Sequence, residues 1–135
     1  MKTTERLHSV VEHLKVDLNQ RLAVSNLLPV EGWGCYRVDD NRGQFECIGT
    51  VSLWNSAIDE DVRIGDVIVE IRLPKGSEQE LDAYQDCLIE SLESGGTFGD
   101  AFIETSVVAE EKWPSGPQVH AAVMVQLAVR INRLW

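Results

Sequence analysis

Residues 119–132 hold the pattern that most restricts how this chain can fold. Val119, Ala121, Val123, Val125, Leu127, Val129 and Ile131 occupy every second position, and His120, Met124, Gln126, Arg130 and Asn132 lie between them. A period of two places one set on each face of a β-strand, whereas a helix would scatter the apolar set around its circumference. Seven apolar positions on one face need a second layer to cover them. A strand of this length also carries many backbone donors and acceptors, which predicts neighbours on both sides and a position inside a sheet.

The covering layer is legible upstream. Leu7, Val10, Val11, Leu14, Leu18 and Leu22 recur at spacings of three and four, one stripe on a helix over residues 4–22 that Thr3 or Thr4 can cap and that must fade before Pro29. A second helix is expected from Glu78, with Leu81, Tyr84, Leu88 and Leu92 buried and an end at Gly95-Gly96, where glycine readily takes the left-handed conformation. Ser77 and Glu80 have the spacing of a capping box at its start.

Between and after the helices the sequence reads as strands. A turn at residues 31–34, a strand over 34–38, a turn at 39–43 and a strand over 44–54 together suggest a hairpin. Residues 55–61 are polar and are expected to form an exposed loop. Residues 62–73 alternate Val67, Val69, Ile71 and Leu73 against Asp66, Glu70 and Arg72, a half-buried strand closed by Pro74. Ile103, Thr105, Val107 and Ala109 mark a strand over 101–109, followed by a loop at 111–117. The resulting order is α-β-β-β-α-β-β in one domain spanning 1–135. The fold class is α+β, a mostly antiparallel sheet of four to five strands with two helices packed on it.

Charge and motifs narrow the function. The chain of 135 residues carries a net charge of −10, concentrated in residues 31–111, where 19 carboxylates face 5 lysines and arginines. Nucleic-acid affinity comes chiefly from clustered cations neutralising phosphates, and no such cluster occurs, so specific DNA binding is not expected. No apolar run is long enough to span a bilayer, and the charged N-terminus has no cleavable-leader pattern, which predicts no membrane association. Cys35, Cys47 and Cys87 are odd in number and form no paired motif, as expected of reduced thiols used in packing.

No catalytic motif, metal set or cofactor fingerprint emerges. His8, His13 and His120 do not cluster, and His8 and His13 are five positions apart on a helix. Asp39-x-Asn41-x-Gly43 echoes a calcium loop, but Gln44 and Thr50 stand where that loop needs glycine and glutamate; a turn explains it better. Asp59, Glu60 and Asp61 could collect calcium, although an acidic loop is ordinarily just solvated. The acidic residues could supply many acid and base pairs, and nothing selects one. The expectation is therefore a protein that is not an enzyme and needs no cofactor.

One helix face stands out. Asp82, Asp86, Glu90 and Glu93 follow at spacings of four, four and three, with no lysine or arginine between Gly76 and Glu111. Neighbouring like charges on a helix repel by a few tenths of a kcal/mol per pair, roughly, and these repel without local compensation. It is either a solvated face or a surface that meets a basic partner or lines a channel through which DNA slides without sticking. Trp33, Trp54, Trp113 and Trp135 fall in or beside expected loops or at the terminus, as core anchors or as subunit contacts.

The stretch Val67-Ile68-Val69-Glu70-Ile71-Arg72-Leu73-Pro74, followed by Glu80-Leu81-Asp82-Ala83-Tyr84, resembles the lambda-type tail terminators of long-tailed bacteriophages. In that family an N-terminal amphipathic helix precedes strands, one strand ends in a Leu-Pro step, and a helix opens with a Glu-Leu-Asp-Ala-aromatic run. The order of elements matches over nearly the whole chain, the residues only in this central stretch. The resemblance implies a homo-oligomer, a hexameric ring in the virion, assembled in the host cytoplasm. The ring would bind the last ring of the tail tube protein, stop its polymerisation and dock the head-tail connector (stopper) protein, with sheath as a further partner in a contractile tail. It implies no catalytic residue. Trp54, Asp59, Glu60, Asp61 and Trp113 mark the candidate assembly loops, of which residues 55–61 and 111–117 are expected to become ordered on assembly, and Asp82, Asp86, Glu90 and Glu93 are the candidate channel or partner face. Related readings are another neck or tail-completion subunit, such as a stopper or adaptor; a different class is a small acidic protein-binding module.

Overall fold

A computed structural model describes residues 3–35, 47–59, 62–74, 76–115 and 120–132. In chain order its elements are helix α1 (Thr3–Val24), strands β1 (Gly32–Cys35), β2 (Ile48–Asp59) and β3 (Val62–Arg72), helix α2 (Leu81–Ser94), and strands β4 (Glu104–Trp113) and β5 (Ala122–Asn132). The fold is α+β, with two helices and one five-stranded mixed sheet of order β1-β2-β3-β5-β4. The alternating segment β5 lies inside the sheet, antiparallel to β3 on one side and to β4 on the other.

The registers show why the alternation matters. Val123, Val125 and Leu127 of β5 stand opposite Ile71, Val69 and Val67 of β3, which stand opposite Gly49, Val51 and Leu53 of β2. Side chains opposite one another share a face, so these rows form one apolar surface. Both helices pack on it: the α1 stripe Leu7, Val10, Val11, Leu14, Leu18 and Leu22 is buried, as are Leu81, Tyr84, Leu88 and Leu92 of α2. Removing this surface from water is the main favourable contribution to folding.

Three polar or tight contacts fix how the layers meet. The Asn19 amide donates from Nδ2 to Val30 O at 3.2 Å and accepts from Val30 N at 3.0 Å, clamping the chain after α1 back onto the helix. The Tyr84 hydroxyl, buried against Cys47, donates to Leu28 O at 2.8 Å; burial pushes its proton affinity up. Trp33, paired with Gly49, lays its ring over that glycine: a Cβ there would come within 2.3 Å of it.

Several local expectations are corrected. The first two strands form no hairpin: β1 runs parallel to β2, and it occupies residues expected to be a turn. The turn proposed at 39–43 lies outside the described residues. Residues 55–59 are not loop but the end of β2, which continues past a register shift between Trp54 and Ala57 to pair Asp59 with Val62. Polarity misleads there because a ladder satisfies the backbone whatever the side chains. For the same reason β4 extends to Trp113, through residues expected in a loop; it also begins later, at Glu104. The capping box does not form, since Ser77 has φ −93° and ψ 14°, outside the extended region that a cap requires, and makes no side-chain cap bond. A 3-10 turn, Glu78–Glu80, leads into α2 instead. At the other end Gly95 remains right-handed, and Gly96 takes the left-handed conformation at φ 57°.

Candidate functional site

Both helices lie on one side, and among the described residues no element packs over the second face of the sheet, although Ile48 and Ala122 at one end of it are buried. Its rows follow from the registers. Trp113, Ala122, Arg72 and Ile48 form one row, Glu111, Met124, Glu70 and Thr50 the next, then Ala109, Gln126, Ile68 and Ser52, then Ser106, Ala128, Asp66 and Trp54. Apolar and polar groups interleave, with Arg72 Nε donating to Glu70 Oε1 at 2.9 Å and Arg130 Nη1 to Glu104 Oε2 at 3.4 Å. Trp54 is 56% exposed and Trp113 37%. Six residues along a strand and three strands across, these two indoles mark opposite corners of a patch of about 20 by 14 Å. The Trp54 indole N–H donates to Ser52 Oγ at 2.6 Å, which holds the ring against the sheet.

The structure brings Asp82, Asp86, Glu90 and Glu93 together on the exposed face of α2. Their compensation comes from distant segments of the chain. Lys112 of β4 binds Asp82, and the charges of Asp82, Glu110 and Asp86 raise the affinity of its ammonium for its proton. Arg21 of α1 reaches Glu90 at 3.3 Å. Both cations are remote in sequence, and the α1–α2 and α2–β4 packing delivers them. Five carboxylates, those of the stripe and Glu110, still face these two cations, so the surface remains acidic.

Trp54, Asp59 and Trp113, proposed as parts of assembly loops, belong to strands: Trp54 and Asp59 to β2, Trp113 to the last position of β4. Glu60 and Asp61 lie outside the described residues. Sequence reasoning overlooked the exposure of β4, whose residues from Val108 to Trp113 all face solvent, Val108 at 53%. The signal available was the cluster Glu110-Glu111-Lys112, which breaks the alternation after Ala109.

An open groove between the helices is lined by Asp17, Gln20, Arg21, Val24, Ser25, Cys87 and Glu90. Beside it His13 Nε2 lies 2.7 Å from Ser91 O and 3.3 Å from Ser94 Oγ, and Asp17 accepts from Arg21 Nε at 2.8 Å. A carbonyl can only accept, so His13 Nε2 carries the hydrogen and cannot serve as a base toward Ser94. The group ties α1 to α2 and does not form a nucleophile with its base. Cys47 and Cys87 are buried, Cys35 is half-buried, and all three are free thiols. Among the described residues no three histidine, cysteine or acidic side chains are grouped to hold a metal ion, and no helix is long and apolar enough to cross a membrane.

Among the described residues the fold is a two-layer α+β arrangement, with one sheet face that no helix covers and an acidic helical face on the opposite side. No protein-family model matches the chain, and no curated protein matches it in sequence.

Proposed function

We propose that this chain is a structural virion subunit, which closes into a hexameric ring at the head-proximal end of a phage tail, terminates tube polymerisation and joins the tail to the head connector. The observation that carries the reading is the pairing of two unlike surfaces on one layered body. A mixed, tryptophan-cornered sheet face lies on one side and an acidic helix face on the other. A head-to-tail ring needs unlike complementary surfaces on each subunit, and closes when their relative rotation permits. Exposed tryptophans amid polar groups have the composition of a contact surface, since indoles contribute large contact area. In such a ring the acidic face of α2 either borders the DNA channel, where like charge repels phosphate, or meets a basic partner. The resemblance of residues 67–92 to tail terminators selects this position in the virion from others that a ring could occupy.

Deletion of the gene tests the reading directly. Overlong tubes without heads are the expected result. Tails of normal length that fail to join heads would move the subunit to a stopper or adaptor role, and normal tails on heads would overturn a virion role altogether. Electron microscopy of the purified protein with tail tubes should show rings capping tube ends. A chain that stays monomeric at every concentration and does not cap tubes is instead a small acidic binding module.

A further inference from the structure

From the open ladder of β4 and the charges around it, we infer that residues 109–113 bind an extended basic segment of another protein, which adds to the sheet as a sixth strand. β4 ends the sheet: β5 pairs with one of its sides, and no described strand pairs with the other. An unpaired strand edge presents backbone donors and acceptors in the geometry that an extended peptide matches. The register shift between Val107 and Ala109 interrupts the edge, so the regular run available to a partner is Ala109-Glu110-Glu111-Lys112-Trp113. The buried Gln85 side chain donates to Glu111 O at 3.2 Å, which ties this run to α2 and holds it in place.

The side chains around the run decide which strand fits. Glu110 and Lys112 point to the helix side, where Asp82 binds Lys112 and Asp86 acts on its charge. Glu111 and Trp113 point to the uncovered face. Three carboxylates, those of Asp82, Asp86 and Glu110, thus act on one ammonium, which is itself engaged by Asp82. An added strand with lysine or arginine at alternate positions would meet Glu110 and Asp86, and a residue on its other side would lie near the Trp113 ring, a surface that attracts cations as well as apolar groups. A second copy of this chain does not supply that strand. Its β4 brings the same excess of carboxylates, and its other edge, Gly32-Trp33-Gly34-Cys35, has no charge at all. The occupant is therefore a basic β-segment of a different protein. This takes up the basic-partner option for the acidic face and holds whether or not the chain forms a ring.

Fluorescence polarisation with labelled heptapeptides tests this on the intact protein. A peptide alternating lysine with valine should bind, its glutamate counterpart should not, and raising the salt should weaken binding. Two N-methylated forms of the lysine peptide, each blocked along one backbone edge, separate strand addition from simple charge attraction. One form should bind like the parent, and the other should be at least about tenfold weaker, the loss expected when ladder bonds go unmade. The double variant Asp86→Lys/Glu110→Lys, with both positions exposed, should retain its circular dichroism and also lose about tenfold. Equal binding by both methylated forms, undiminished binding by the double variant, or no preference for lysine over glutamate would each overturn the proposal. So would self-association that the lysine peptide reverses, because the edge would then belong to a second copy. None of these results depends on ring formation, so the two readings can fail separately.

Discussion

β5 and β4 are neighbours in one antiparallel ladder, yet they do opposite work. Every second residue of β5 is an aliphatic side chain held beneath the helices, and Val123, Val125, Leu127, Val129 and Ile131 are at most 1% exposed. Along β4 no residue is fully buried, and charge replaces alternation after Ala109. The ladder between them is shared, but β5 is also paired along its other side, with β3. A second difference lies in what each strand's side chains meet: β5 is clamped by a second layer, whereas β4 is held by one neighbour and a few contacts from α2. Stability accordingly concentrates in the centre of the sheet, and an edge that adds little to it is available for recognition.

The sharpest way to break this contrast is to replace one aliphatic side chain in each strand. Leu127→Ala should cost about 2–5 kcal/mol in a urea titration, because it opens a cavity beneath the helices. Val108→Thr in β4 should stay within roughly 0.5 kcal/mol of the parent, as for other exposed sites. Equal losses would mean that β4 is as integral to the core as β5. At the far side of the sheet, Gly49→Ala should cost about 1–3 kcal/mol, since its methyl group would meet the Trp33 ring. A loss of Trp fluorescence burial should accompany it if the ring moves out. Asn19→Ala, which leaves Val30 N and O without their clamp, should cost about 1–3 kcal/mol, with faster amide exchange at Val30 as its signature.

The smallest effect concerns pH. Burial tends to raise the Asp17 pKa, but the hydrogen bond and charge of Arg21 outweigh it and hold the carboxyl below its ordinary value. The folded state then binds this proton less readily than the unfolded chain. The contribution is complete above the unfolded pKa and fades as pH falls through the folded one. Asp17→Asn should therefore narrow its stability gap to the parent as pH drops below about 4, and a gap that widens there would contradict the assigned pairing.

Periodic features were legible without coordinates. The α1 stripe, the apolar positions of α2 and the alternation of β3 and β5 all name residues that are buried, because each pattern reports a face and the face must be covered. What was not legible lay where side chains no longer discriminate. Residues 55–59 and 111–113 carry polar or charged groups compatible with a loop, and they are strands because a partner strand lies beside them. Ser77 and Glu80 have the right spacing for a cap, but the path of the backbone decides whether the cap forms. Of the candidate surface, the stripe on α2 could be read from spacing alone, whereas its compensation by Arg21 and Lys112 could not, being made across 69 and 30 positions of the chain.

By itself, then, the amino-acid order determined which faces must be hidden and which elements carry them, since hydrophobic periodicity is a local property that any fold of this chain must satisfy. Only tertiary packing decided that β1 runs parallel to β2, that β4 lies at the edge among the described strands, that both helices share one sheet face and that two distant cations temper the acidic helix. Those outcomes depend on pairing between segments far apart in sequence, and pairing energy is set by whichever strand or helix arrives alongside.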